Sequence, residues 1–223
     1  MHKPLSSCAG LCALAFATQC QADGVFDGVW YASVFGGYAT SDLTTTYTTG
    51  SYTVDATIEP DGGYILGGTL GMYLGTNIRT EAELSYASYS VGSYSYDVSG
   101  PFLNNTTTSD ARDNVEVTAT YLLGNIWYDF TMLAPNAGLI PYAGGGFGYV
   151  ILEGTTNDDA LFETAQGTAY QIGGGVQVTA GPGMFDLAYR YRGITGAEII
   201  TPAFTGDGAG IGHSFQAGYL LTF

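Results

Sequence analysis

The chain has 223 residues, of which 46% are hydrophobic and only 11% are charged. This composition excludes a disordered protein, and it is unlike that of an average cytosolic enzyme, in which about 25% of the residues are charged. The net charge of −15, with only five Lys and Arg in total, disfavours nucleic-acid binding, because phosphates require basic patches.

The first 22 residues have the features of a signal peptide. Lys3 supplies the positive start, Leu5 to Ala17 is a modest apolar stretch, and Ala22 follows the small Cys20 by two positions. We expect cleavage after Ala22 and a mature domain over residues 23–223. All three cysteines lie in this leader, so no disulfide is expected in the mature chain. The alternative is that the leader is a short core helix.

Eight strand-like segments follow the leader, and turn-rich stretches separate them. Each has about ten residues, the length at which a tilted strand crosses a bilayer, and no later run approaches the roughly 18 to 20 apolar residues of a spanning helix. The segments are Trp30 to Tyr38, Tyr64 to Leu74, Ile78 to Tyr86, about Val115 to Phe130, Pro141 to Leu152, Ala169 to Val178, Phe185 to Gly193, and His213 to Phe223.

The third segment has the clearest alternation. Its apolar residues alternate with Arg79, Glu81 and Glu83, and this charged row cannot face lipid, so it must face a lumen or water. The parity of the fourth segment is less clear. If Asn125 and Asp129 point inward, its apolar residues point outward and Glu116 does too, unless Glu116 lies above the membrane or a bulge changes the register.

The connections between the segments alternate in length. Those after the second, fourth and sixth segments are short, whereas those after the first, third, fifth and seventh are long, polar and acidic. Outer-membrane barrels have this asymmetry, with short periplasmic turns and long extracellular loops. The pattern predicts an all-β fold, an eight-stranded antiparallel up-and-down transmembrane β-barrel.

By its order of segments, the sequence resembles the eight-stranded outer-membrane β-barrel family that includes the opacity-type proteins and the membrane domain of outer membrane protein A. The resemblance rests on WYASVFGGY, IRTEAELSY, NIWYDF, PYAGGGFGYV, FDLAYRYRG and HSFQAGYLLTF. It implies that Tyr219, Leu221 and Phe223 form the C-terminal signal read by the barrel-assembly machinery. It implies no defined activity, because family members serve as adhesins, structural proteins and surface antigens.

Seven charged residues are candidates for an ionic network inside the barrel, whose interior at eight strands is just wide enough for side chains to fill. We expect them to pair and to fill the lumen, because unpaired buried charges are costly. The alternative is a narrow, gated ion path. The seven residues are Arg79, Glu81, Glu83, Asp129, Asp186, Arg190 and Arg192.

The sequence also offers one candidate for catalysis. His213 and Ser214 invite comparison with hydrolases, since some small outer-membrane barrels deacylate lipid A, but neighbours on a strand point to opposite faces and cannot form a nucleophile–base pair. The glycine runs near Gly145 and Gly174 lack the Lys and the following helix of a phosphate loop. Inward-facing glycines in a tight barrel make room for larger neighbours. No catalytic, cofactor or metal site is predicted.

We therefore expect a non-enzymatic protein of the bacterial outer membrane, with a structural or surface-interaction role for its acidic loops. The expected partners are membrane lipid, lipopolysaccharide, the assembly machinery, and divalent cations or an environmental ligand at the loops. A small channel, a lipid-A-modifying enzyme and a soluble lipocalin-like barrel are the alternatives, and the last requires an apolar interior.

Overall fold

The computed structural model describes residues 28–49, 51–101, 104–110, 115–133, 138–156, 159–200 and 205–223, so the expected signal peptide lies outside the described residues. These residues form nine strands and one short 3-10 turn, Thr131–Leu133. The strands are β1 (Trp30–Thr49), β2 (Tyr52–Leu74), β3 (Ile78–Ser99), β4 (Asn104–Asp110), β5 (Val115–Asp129), β6 (Leu139–Thr156), β7 (Asp159–Ala180), β8 (Gly183–Ile200) and β9 (Thr205–Thr222).

Eight of these strands close into an antiparallel barrel. Each pairs with its sequence neighbour, except that β3 pairs with β5, and the sheet closes where β1 pairs with β9. The short β4 pairs with the distal part of β3, Ser93 to Ser99, beyond the stretch of β3 that pairs with β5, and it is not one of the eight strands that close the barrel. The predicted eight-stranded up-and-down barrel is confirmed. Among the described residues, no helix is long and apolar enough to cross a membrane.

The short connections lie at one end of the barrel, the end that is periplasmic in outer-membrane barrels. The turn 75–77 joins β2 to β3, and residues 181–182 join β7 to β8. Gly75 and Gly181 have φ values of 74° and 62°, a backbone conformation that glycine adopts at little cost and that reverses the chain within two or three residues. These two turns lie where the sequence predicts them.

The strands are about twice as long as the sequence predicts. The polar segment 39–63, expected as a loop, continues β1 to Thr49 and begins β2 at Tyr52, so the loop prediction is wrong there. The segments 87–114, 153–168 and 194–210 are likewise mostly strand. The exposed residues of these extensions are mostly polar, and apolar residues such as Leu43, Tyr89 and Ile194 point inward. The apolar outward row that marks a membrane strand is therefore absent, although the Thr and Tyr of the extensions favour strands. We call these extensions the ribbons.

A band of exposed apolar side chains surrounds the barrel next to its periplasmic end. On β1 it runs from Trp30 through Val34 to Tyr38, and the eight residue-to-residue steps of this tilted strand span about 20 Å, close to the roughly 25 Å of an outer-membrane apolar band. Beyond Tyr38, the residues of β1 whose side chains are described and exposed are Asp42, Thr44 and Thr46. An apolar exterior is opposite to what a soluble lipocalin-like barrel requires.

The structure also resolves the parity of the fourth predicted segment. Asn125 and Asp129 are buried, whereas Ile126 and Tyr128 are exposed on the apolar band. Glu116 is exposed near the first residue of β5 and accepts a 2.5 Å hydrogen bond from Ser88 Oγ. It lies beyond the apolar band, so its outward direction places no charge in lipid.

Candidate functional site: the barrel lumen

The predicted charged residues lie on strands that face one another across the lumen. Because side chains alternate along a strand, each contributes a row of inward residues spaced by two. Five of the seven are buried and Glu81 and Asp186 are partly buried. We call the set of seven the ionic layer: Arg79, Glu81 and Glu83 come from β3, Asp129 from β5, and Asp186, Arg190 and Arg192 from β8.

Glu83 has the most hydrogen bonds in the ionic layer. Its carboxylate accepts hydrogen bonds from Arg192 Nη2 at 2.6 Å, Gln171 Nε2 at 2.8 Å, Asn125 Nδ2 at 3.0 Å and Ser85 Oγ at 2.8 Å. Four donors match the four lone-pair sites of a carboxylate. The buried charge of Glu83 is therefore both paired and fully hydrogen-bonded, the condition under which a buried ion pair is tolerated.

A second ion pair joins β3 to β5. Arg79 Nε donates to Asp129 Oδ1 at 2.9 Å, and both side chains are almost fully buried. The guanidinium carbon of Arg79 also lies 4.4 Å from the centre of the Tyr142 ring. Arg79 thus has both a carboxylate and an aromatic face as partners, and a desolvated cation gains from each.

The other three charged residues form side-chain hydrogen bonds with neutral partners. Glu81 accepts hydrogen bonds from Tyr31 Oη and Trp127 Nε1, both at 2.8 Å. Tyr142 Oη receives a hydrogen bond from Arg190 Nη2 at 2.9 Å and donates one to Asp186 Oδ2 at 2.8 Å. Tyr142 therefore stands between an arginine and a carboxylate that do not pair directly.

The sequence missed these neutral residues, although a signal for them existed. Tyr31, Trp127, Tyr142 and Gln171 all lie on inward rows, as parity relative to a neighbouring lipid-facing residue indicates. The next inward positions of the same strand after Tyr142 are all glycine, from Gly144 to Gly148. A strand face made mostly of glycine gives little sign in the sequence that one large side chain on it fills the lumen. The expectation that inward glycines make room fits Gly144, where an added Cβ would meet the Trp127 side chain and the Ile126 carbonyl.

An apolar layer fills the lumen on the ribbon side of the ionic layer, and the sequence did not predict it. Its members come from seven of the eight barrel strands, all except β9, and pack against one another, with Phe35 partly buried against them. We call it the upper apolar layer: Ala39, Leu43, Ile65, Ala87, Tyr89, Ala119, Tyr121, Leu123, Val150, Leu152, Ala165, Ala169, Ile194 and Ala197. Tyr31, Tyr73 and Leu220 form a smaller apolar cluster near the periplasmic end.

His213 and Ser214 point to opposite sides of β9. Ser214 is buried in the lumen, where its hydroxyl accepts a 2.9 Å hydrogen bond from Gln216 Nε2. His213 is on the outer surface, and its Nδ1 lies 2.6 Å from Tyr189 Oη. The wall of the barrel separates the two side chains, so they form no nucleophile–base pair.

The three residues of the expected assembly signal lie at the periplasmic end of the barrel. Leu221 and Phe223 are exposed on the apolar band, and Tyr219 donates a 2.9 Å hydrogen bond to the carbonyl of Ala180. The amide of Phe223 donates to the carbonyl of Trp30 at 2.9 Å, beside the junction of β1 with β9. All three therefore flank the seam that closes the barrel.

Several solved structures are similar to this chain, whereas none of the curated proteins matches it. Neisserial surface protein A, from Neisseria, is 14% identical with a TM-score of 0.49, covering 87% of this chain and 97% of that chain. OprG from Pseudomonas aeruginosa is 16% identical with a TM-score of 0.49, with the same two coverages. Ail, the attachment invasion locus protein of Yersinia pestis, is 14% identical with a TM-score of 0.42, covering 87% and 99%.

Residues 9–223, nearly the whole chain, match the family described as outer membrane protein beta-barrel domain. The match agrees with the closed wall, the apolar exterior and the charged interior described above. The chain therefore belongs to the outer membrane protein beta-barrel domain family and to the bacterial outer membrane.

Proposed function

We propose that this protein is a non-enzymatic barrel that does not conduct ions and acts at the cell surface through its acidic ribbons. The observation that carries the proposal is the filled lumen. An ion path would have to cross both the ionic layer, in which Glu83 is saturated with hydrogen bonds, and the upper apolar layer, where a bare ion would lose its hydration. Two cavities in the described lumen have volumes of about 20 and 10 Å³.

Charge is distributed unequally between the inside and the outside of the barrel. The three arginines that the structure describes are buried in the lumen, and Arg112 lies outside the described residues. Among the residues whose side chains the structure describes, the exposed charged residues beyond the apolar band are acidic: Asp42, Asp97, Glu116, Glu153, Glu198 and Asp207. Such a surface attracts cationic partners and repels anionic ones.

The ribbon acids support two kinds of contact. A cationic ligand or surface would bind directly, and divalent cations would bridge the ribbons to the phosphates of lipopolysaccharide. Glu198 and Asp207 are direct cross-strand partners on β8 and β9, and like charges in that position repel each other. Binding a cation there would relieve the repulsion, which favours a surface-interaction role over mere solubility.

Conductance in planar bilayers tests the filled lumen. We expect no discrete openings from the refolded mature chain. As a positive control, Tyr121→Ala with Leu123→Ala and Glu83→Ala removes bulk from both layers and should give openings. Stable, discrete openings from the unaltered protein would support the channel instead.

Binding of fluorescent polylysine to proteoliposomes tests the ribbons. Asp42→Asn, Glu198→Gln and Asp207→Asn together should weaken binding several-fold at low salt, and the difference should shrink as salt screens the charges. A matched variant, Thr44→Asn with Thr195→Asn, changes exposed ribbon residues without changing charge and should bind normally. If the unaltered protein and both variants bind polylysine equally well, the proposed interaction role of the ribbons is wrong.

We also propose that the protein does not modify lipid A and that its leader is removed after Ala22. Lipid A from cells with and without the protein should have the same mass spectrum, because His213 and Ser214 lie on opposite sides of the wall. The intact mass of the outer-membrane form should correspond to residues 23–223. A deacylated lipid A, or a mature chain that retains Cys20, would contradict the respective part.

A further inference from the structure

A small cavity lies inside the periplasmic half of the lumen, within the ionic layer. Its volume is about 20 Å³, and its lining includes Arg79 from β3, Gln177 from β7 and Asp186 from β8. Gln177 is 1% exposed and Arg79 is 3% exposed, so bulk solvent does not reach these side chains. The part of the cavity lined by Arg79 and Gln177 is thus a polar site shielded from bulk solvent rather than a surface groove.

Each of these three side chains presents one buried polar atom that bonds to no other described group. The atoms are Nη2 of Arg79, Oε1 of Gln177 and Oδ1 of Asp186. The neighbouring atoms of two of them are already engaged, since Arg79 Nε donates to Asp129 and Asp186 Oδ2 accepts from Tyr142. Buried polar atoms are nearly always hydrogen-bonded in folded proteins, so three of them around one cavity indicate a shared ligand.

We propose that the cavity binds one structural water molecule, which accepts a hydrogen bond from Arg79 Nη2 and donates one each to Gln177 Oε1 and Asp186 Oδ1. One donor and two acceptors are the complement of a water that donates twice and accepts once. Buried waters typically make about three hydrogen bonds, and a site needs roughly 10 to 15 Å³ to hold one. The cavity exceeds that volume without having room for an organic molecule.

The charges around the cavity select water over an ion. A cation would lie against the guanidinium of Arg79, and Arg190 also lines the cavity. An anion would lie against the carboxylates of Asp186 and Glu81. A neutral ligand with both donors and acceptors avoids both repulsions, and water is the one small enough.

The water would join by hydrogen bonds two parts of the ionic layer that otherwise meet only where Arg79 lies over the Tyr142 ring. One part is the Arg79–Asp129 ion pair, and the other is the chain from Arg190 through Tyr142 to Asp186. With the water in place, Arg79 and Asp186 share a ligand, and Gln177 connects β7 to both. The site thereby links β3, β5, β7 and β8 through one network.

A crystal structure of the mature chain at about 1.5 Å resolution tests the site. We expect one density peak within hydrogen-bond distance of Arg79 Nη2, Gln177 Oε1 and Asp186 Oδ1, with no anomalous signal after bromide or rubidium soaks. An anomalous peak would assign the site to an ion and overturn the proposal. So would side chains that bond directly to one another with no density between them.

Two glutamine variants test whether the water depends on Gln177 itself or on any polar side chain that lines the cavity. Gln177→Met removes an acceptor at similar volume and should abolish the three-way peak, whereas Gln216→Met should retain it, because Gln216 lines the same cavity but bonds to Ser214. Retention in the first variant or loss in the second contradicts the proposal. If Gln177→Met does not fold, water-to-protein nuclear Overhauser effects at Arg79 in the unaltered protein decide, and their absence overturns the site.

Discussion

Arg192 Nη2 donates a 2.6 Å hydrogen bond to Glu83 Oε1 across the lumen, although 109 residues separate the two along the chain. The contact joins β8 to β3, strands that are not neighbours in the wall. Both side chains are buried, so neither charge can be solvated if its partner is lost. This ion pair therefore links β3 and β8 across the lumen and fixes their separation.

Removal of the arginine should be strongly destabilising. Arg192→Met keeps an unbranched side chain but leaves Glu83 with only neutral donors, and breaking a buried pair in this way costs about 3–5 kcal/mol. The free energy of unfolding in urea, followed by tryptophan fluorescence in lipid vesicles, measures the loss. The double variant Arg192→Met with Glu83→Gln removes both charges and should be more stable than Arg192→Met alone. A loss below about 1 kcal/mol for the single variant would mean that the pair is not desolvated.

The inward glycines give a second prediction about packing. Gly144→Ala places a Cβ against the Ile126 carbonyl and the Trp127 side chain, so we expect overpacking that costs about 1–3 kcal/mol. Gly124→Ala is the matched control, because its Cβ faces open space apart from one carbonyl at 3.9 Å. Unfolding in urea should rank Gly124→Ala as the more stable variant, and equal stabilities would contradict tight packing on the inward row.

The membrane-spanning part of this barrel could be predicted from the sequence, whereas the ribbons could not. In lipid, each strand must be apolar on one face, and in β3 this gives the alternation from Ile78 to Tyr86 that identifies both strand and orientation. Past Tyr86 the exposed residues of β3, such as Ser90 and Asp97, are polar, so the apolar outward row ends although the strand continues to Ser99.

The lumen could be predicted only in part, for a related reason. Charged residues such as Glu83 can be assigned to the lumen from the sequence, because a charge is costly in lipid. Tyr142 does not, since a tyrosine fits either face of a membrane strand, and only its hydrogen bonds with Arg190 and Asp186 reveal its role. The upper apolar layer escaped detection because residues such as Leu123 resemble those that face lipid.

The exposed apolar band predicts that the cost of a charge depends on position. Ile126 is 62% exposed near the middle of the band, so Ile126→Arg places a cation in hydrocarbon and should cost about 2–4 kcal/mol in lipid vesicles. Thr44→Arg introduces the same side chain on the exposed face of a ribbon and should change stability by less than about 0.5 kcal/mol. If the two variants unfold at the same urea concentration, the assigned boundary between band and ribbon is misplaced.

The C-terminal residues provide a test that separates assembly from stability. Phe223 is exposed beside the seam between β1 and β9, so Phe223→Ala removes little packing and should refold normally in detergent. In cells, we expect the same variant to accumulate in the periplasm, because the assembly machinery would lose its signal. Phe185→Ala removes another exposed aromatic residue, which packs against Tyr219 at the same end, and should still assemble. Heat-modifiable migration on gels, applied to outer-membrane and periplasmic fractions, measures the assembled share of each variant. Equal assembly of Phe223→Ala and Phe185→Ala would show that the terminal aromatic residue carries no special information for insertion.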